Sequence, residues 1–210
     1  MKIQSHASVN ETIGLFDDEV IKSQPMLHRA TREFALEHGG YIAFRFLDLL
    51  PKSWSNILID SRVHMLMPGM YPCIPGWHHD DVPREREDGQ PNYNDPSYRA
   101  QHCMAVFGDC SLTEFAIGEH EIEIPPVGKK IYKELSPVVE QHCVDGKLQR
   151  WTVPEGTLVD FDWLSWHRGV EAHKRGFRYF IRATRYSNLE PRNEIRVNAN
   201  VYMPVLDEGW

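Results

Sequence analysis

A β-sandwich or barrel flanked by helices is the fold class this sequence predicts. Short apolar runs punctuated by Gly and Pro recur at close spacing from Val63 onward, the pattern of a many-stranded β domain. Helical periodicity is clearest in the first fifty residues. At 210 residues the chain is long enough to bury one sizeable core without disulfide or metal staples. We therefore expect a single domain over 1–210: about 1–55 as helical support, about 56–190 as the β core, and 191–210 as a C-terminal tail.

The first fifty residues read mostly as helix. Pro25 opens an amphipathic stretch through Leu27, Ala30, Phe34 and Leu36, and His38-Gly39-Gly40 closes it. A second short element, 43–50, stops before Pro51. Val63–Met67 is a strand ended by Pro68-Gly69, and Pro72, Pro75 and Gly76 make a stiff approach to His78. Residues 83–98 are polar and turn-rich, either a solvated loop or a lid over substrate. Further strands are predicted at 103–107, 113–117, 119–124, 149–153, 157–161 and 177–186; 133–141 fits strand or helix. Residues 195–210 read as a packed tail.

Apolar residues make up 41% and charged residues 25%, the balance of a soluble globular protein. The formal net charge of -7 argues against a non-specific grip on nucleic-acid backbones, so a small-molecule partner is expected. Cys73, Cys103, Cys110 and Cys143 form no C-x-x-C pair and read as reduced thiols of a cytoplasmic protein. The N-terminal residues lack the apolar stretch of a secretory signal, and no run approaches a membrane span.

The chemistry concentrates in Trp77-His78-His79-Asp80-Asp81, answered far downstream by Trp166-His167-Arg168-Gly169. In a strand, residues two apart share a face, so His78 and Asp80 can aim inward together while Trp77 and His79 face away. His79 and Asp81 have the same spacing, and spacing alone does not choose between the pairs. Two imidazoles and one carboxylate on one side of a metal leave positions open for cosubstrate and oxygen, the arrangement of non-haem iron oxygenases. A lone His64, His102 or His120 reads instead as a satisfied core side chain. Arg178, eleven residues after His167, and Arg182, on the same strand face, are cations able to clamp a carboxylate.

These residues resemble the iron(II)- and 2-oxoglutarate-dependent oxygenases, in particular the phytanoyl-CoA-dioxygenase-like branch. Gly76-Trp77-His78-His79-Asp80 is similar to the Trp-His-x-Asp form of that motif, and residues 155–161 and Trp166-His167-Arg168-Gly169 to its distal-histidine strand. The resemblance spans about residues 63–187. It implies a double-stranded β-helix, a jelly roll of cupin type, and favours His78, Asp80 and His167 as Fe(II) ligands over His79 and Asp81. It also implies 2-oxoglutarate held by Arg178, with Arg182 the competing choice. The family often carries Ser or Thr two residues after this arginine; Phe180 follows Arg178 and Thr184 follows Arg182. The implied reaction is hydroxylation of a C–H bond with release of succinate and CO2, since family members that halogenate lack the carboxylate supplied here by Asp80. Trp77 and Arg168 flank the ligand positions and are the candidate substrate contacts, with core packing and a surface charge as their plainer roles. The rival readings are a cupin-like metalloenzyme that does not use 2-oxoglutarate and a non-catalytic ligand- or protein-binding module.

Overall fold

The computed structural model describes residues 1–95 and 97–203. Strand residues outnumber helical ones, 34% to 18%, and every strand pairing is antiparallel, so the fold is mainly β.

The chain opens with two strands, β1 (Lys2–Ser5) and β2 (Ala7–Thr12), which corrects the expectation of a mostly helical start. Ile3 and Ser5 point inward and Lys2 and Gln4 outward, the period-two signature of a strand. Helix α1 (Asp18–Lys22) follows, capped by the Asp17 carboxylate on the Val20 N–H. The helix expected from Pro25 is shorter than predicted. Residues 26–28 form strand β3 (Met26–His28). Arg29 has φ of 45°, a conformation no right-handed helix accepts, and Ala30 bridges to Ile59. Only then does the Thr31 hydroxyl cap the Phe34 N–H and start α2 (Arg32–His38). Helix α3 (Gly40–Leu49) ends before Pro51, as its sequence predicts.

The core strands are β4 (Leu58–Leu66), β5 (Gln101–Phe107), β6 (Thr113–Glu121), β7 (Gln149–Thr152), β8 (Thr157–Asp162), β9 (Trp166–Gly169) and β10 (Gly176–Arg185). The two runs expected at 113–117 and 119–124 merge into one strand that ends at Glu121, with 122–124 outside it. The undecided 133–141 segment is helix, within α4 (Ile131–Val144), where Ile131, Leu135 and Val139 make a buried i, i+4, i+8 stripe. The tail contributes β11 (Glu194–Arg196), paired with β3; its last seven residues, 204–210, lie outside the described residues.

Five strands form one sheet in the order β2-β8-β5-β10-β4. A second sheet runs β1-β6-β7, with β9 also on β6. Alternation along the five-stranded sheet sorts its two faces. Cys103, Ala105 and Phe107 of β5, with Tyr179, Ile181 and Ala183 of β10, pack against Ile42, Phe46 and the other helical residues. Met104 and Val106 point the opposite way, onto Phe115 of β6 and Phe161 of β8. The second sheet is backed by α4 through Ile3, Ala116, Trp166 and the helix stripe. Both sheets are thus covered on their outer faces, and a cavity lies between their inner faces.

Candidate metal centre

His78 and His167 meet because their backbones pair. The His78 N–H donates to the His167 carbonyl at 3.0 Å, and the His167 N–H returns the bond at 3.1 Å. Residues directly opposite in an antiparallel pair carry their side chains on the same face. The two imidazole centroids accordingly lie 4.6 Å apart. Asp80, two residues beyond His78, returns to that face, with Oδ2 3.2 Å from His167 Nε2. One ligand atom from each of the three lies within 4.8 Å of the others, the one such group of three among the described residues. The expected strand around His78 is reduced to this single bridge, because Asp81 at φ 51° turns the chain away.

Two carbonyls fix which nitrogen each ring presents. His78 Nδ1 lies 3.0 Å from the Gly76 carbonyl, and His167 Nδ1 lies 2.9 Å from the Ser165 carbonyl. A carbonyl only accepts, so each Nδ1 carries a proton, which leaves Nε2 as the ring atom each imidazole can offer a metal. That is how proteins commonly orient metal-ligating imidazoles. Burial, then the neighbouring His167, pushes the His78 pKa down to about 4, so the ring is neutral at neutral pH. Burial alone would favour protonated Asp80, but Arg182 and then His167 outweigh it and hold the carboxyl well below its usual range. The His78 and His167 imidazoles and the Asp80 carboxylate around one point form a donor set for a divalent cation, and the residues present fit Fe(II).

The competing pair does not join this group, although His79 also lines the cavity beside it. His79 points into the core, its Nδ1 2.9 Å from the Tyr93 hydroxyl and its ring stacked 3.6 Å from Trp166. Asp81 lies 3.5 Å from the Arg182 guanidinium and 4.0 Å from His102 Nδ1. Trp77 is fully buried and donates its Nε1–H to Glu140 at 2.8 Å. Arg168 stacks 4.3 Å over the Trp77 ring and is held by Glu114 and Glu140. Trp77 and Arg168 are therefore parts of a packed ion-pair cluster and do not line the cavity at His78, Asp80 and His167.

That cavity measures about 430 Å³. Both arginines singled out in the sequence line it. Arg178 is buried; its Nε donates to the Ser111 carbonyl at 2.8 Å and its Nη2 to the Thr113 hydroxyl at 3.1 Å. Burial pushes its pKa down to about 10, which leaves it charged at neutral pH. Arg182 pairs with both Asp80 and Asp81, and these carboxylates outweigh burial to raise its pKa. Strand pairing explains the layout. Arg178, Phe180 and Arg182 share one face of β10, and their register partners on β4 are His64, Arg62 and Asp60.

Sequence reasoning missed Arg62, Arg196, Asn198, Asn200 and Tyr202, all of which line the cavity. The alternation of 196, 198, 200 and 202 was a signal, with exposed Val197 and Val201 between them, but nothing local says which side faces a site. His102 and His120 are core side chains with one ring nitrogen each partnered, by Thr184 and by the Trp166 indole N–H, and the other without a side-chain hydrogen bond among the described residues. His64 differs: it is buried at the cavity wall and neither ring nitrogen makes a side-chain hydrogen bond among the described residues, although the Asn200 backbone lies near enough to favour its charged form. The described residues of 83–98 form neither helix nor strand, yet Asp88 accepts the Gly128 N–H and pairs with Arg86, tying the loop to the approach to α4. No helix among the described residues is long and apolar enough to cross a membrane. No protein-family model matches the chain, and no curated protein matches it.

Proposed function

We propose that this chain is an Fe(II)- and 2-oxoglutarate-dependent dioxygenase that hydroxylates a C–H bond of a small-molecule substrate. The observation that carries this reading is the triad itself: two imidazoles whose Nδ1 atoms are each held by a backbone carbonyl, and one ionised carboxylate, at the edge of a cavity rich in arginine. The two facing antiparallel sheets support a jelly roll of the double-stranded β-helix type. The resemblance of the His-x-Asp, distal His and spaced Arg to the oxygenase superfamily points the same way.

His78, Asp80 and His167 would hold the metal. Fe(II), when bound, supplies the dioxygen chemistry by which 2-oxoglutarate and O2 become succinate and CO2 while a substrate C–H becomes C–OH. The protein's own tasks are positional. Arg178 uses one N–H on the Ser111 carbonyl and one on the Thr113 hydroxyl, which leaves three of its five for the far carboxylate of 2-oxoglutarate. Arg182, already neutralised by Asp80 and Asp81, serves to position Asp80. Met104, Phe161 and Phe180 supply apolar wall that excludes water. A cavity of about 430 Å³ suits a small molecule rather than a polymer.

Calorimetry with Mn(II) as a redox-stable stand-in for Fe(II) tests this. We expect 2-oxoglutarate to bind with unit stoichiometry only when metal is present, and Asp80→Ala to abolish both events. Equal 2-oxoglutarate affinity with and without metal, or metal binding that Asp80→Ala leaves intact, would overturn the reading.

A further inference from the structure

The cavity contains more positive charge than metal and cosubstrate would use. Arg62, Arg84, Arg178, Arg182 and Arg196 line it, and Asp80 is its one acidic lining residue. Four of the five guanidinium groups have partners: Asp80 and Asp81 on Arg182, Asp60 on Arg196, Ser111 and Thr113 on Arg178, and the Gly89 carbonyl on Arg84. Arg62 makes no hydrogen bond or ion pair among the described residues, though it is largely enclosed. Burial first and the nearby Arg196 second disfavour its charge, and the Asp60 and Asp80 carboxylates offset this only in part.

Its neighbours are unfilled hydrogen-bonding groups. His64 lies two residues along the same face of β4, buried, with neither ring nitrogen hydrogen-bonded to a side chain among the described residues. Asn198 and Asn200 reach the cavity from the segment after β11, and neither carboxamide is engaged among the described residues. A guanidinium, two carboxamides and an imidazole, with no carboxylate ion-paired to them among the described residues, form a set of donors that an anion would complete.

We propose that Arg62, with Asn198 and Asn200, holds a carboxylate or phosphate group of the primary substrate, which is therefore an organic anion small enough to share the cavity with 2-oxoglutarate. This rests on the dioxygenase reading for the word substrate; the anion site itself rests on the cavity. Arg178, on the same wall, remains the clamp for the cosubstrate.

The test uses the full chain loaded anaerobically with Fe(II) and saturating 2-oxoglutarate, titrated separately with inorganic phosphate and with acetate at constant ionic strength. Calorimetry follows binding in wild type, Arg62→Gln and Asn198→Ala, and the visible band of the metal chelate reports 2-oxoglutarate. We expect one anion to bind wild type at a single site and at least ~10-fold more weakly to Arg62→Gln, the usual scale of a charged hydrogen bond. Asn198→Ala weakens it less, the 2-oxoglutarate midpoint is unchanged, and Arg62→Gln is no less heat-stable than wild type. The tighter of the two probes identifies the group as phosphate or carboxylate. Equal binding to wild type and Arg62→Gln, or no binding of either anion, overturns the proposal. A loss of 2-oxoglutarate affinity in Arg62→Gln also overturns it and moves Arg62 into the cosubstrate site. If wild-type protein shows no chelate band, the dioxygenase reading fails instead. The same titrations on metal-free protein then decide the anion site alone: a drop in Arg62→Gln retains it, and no drop removes it.

Discussion

The two walls of the cavity are built the same way and end in opposite conditions. On one wall, an antiparallel pairing sets His78 beside His167, each ring's Nδ1 is held by a backbone carbonyl, and Arg182 pairs with Asp80. On the other, the β4–β10 pairing sets Arg62 across from Phe180 and His64 across from Arg178, and among the described residues no side chain hydrogen-bonds to either. Backbone register places side chains on both walls. Only the first wall also supplies the contacts that orient them. A site completed by the protein is fixed in shape before anything binds, whereas one left incomplete must be completed by what binds there.

The sharpest way to break this comparison is to exchange neighbours on the first wall. Asp80→Ala or His167→Ala should weaken Mn(II) binding by more than the ~10–100-fold that loss of a mere outer-shell partner costs. His79→Ala should leave metal affinity near wild type and instead cost stability, by about 1–3 kcal/mol, because His79 is bound to Tyr93 and stacked on Trp166. Urea unfolding beside metal titration separates the two effects, and a metal defect in His79→Ala would return the ligand assignment to the other pair.

Arg178→Gln should raise the 2-oxoglutarate Kd about 10–100-fold with metal affinity little changed, as expected for losing a charge-assisted pair. If Arg182→Gln showed that phenotype instead, the two arginines would exchange roles. Gly108→Ala reaches the same strand through the backbone. Gly108 has φ of 85°, and a Cβ there would sit 2.0 Å from the Phe177 carbonyl oxygen, immediately before Arg178. A left-handed non-glycine residue with a backbone clash should cost about 1–3 kcal/mol in denaturant unfolding and weaken 2-oxoglutarate by displacing Arg178. The smallest effect belongs to Arg168→Ala. It should change stability by no more than ~1 kcal/mol, as partly exposed ion pairs do, and leave 2-oxoglutarate binding unaltered. A large change in ligand affinity would place Arg168 in the site after all.

What the sequence made legible follows from how local each signal is. His78 and Asp80 two apart, and a distal His167, were visible because the i, i+2 relation survives even where the strand shrinks to one bridge. The β5, β8 and β10 strands were visible because buried strands read as continuous apolar runs bounded by turns. The N-terminal strands were not, because β1 and β2 find their partners at 118–121 and 157–161, more than a hundred residues away. The misread helix from Pro25 fails for a local reason invisible in composition: Leu27, Ala30 and Phe34 are spaced like a helical stripe, yet Arg29 turns left-handed between them. Arg62 and His64 were unreadable as a site because their meaning depends on β4 pairing with β10 across more than a hundred residues. Trp77 and Arg168 flank the ligands in sequence, but alternation carries both away from the cavity into the cluster with Glu140.

The most direct test of the central claim is the visible charge-transfer band of an Fe(II)·2-oxoglutarate chelate, recorded anaerobically as Fe(II) is titrated into apo-protein with 2-oxoglutarate. A band that saturates at one Fe(II) per chain and disappears in folded Asp80→Ala is the predicted result. Folded wild-type protein that takes up Fe(II) without the band, or an undiminished band in Asp80→Ala, would contradict it.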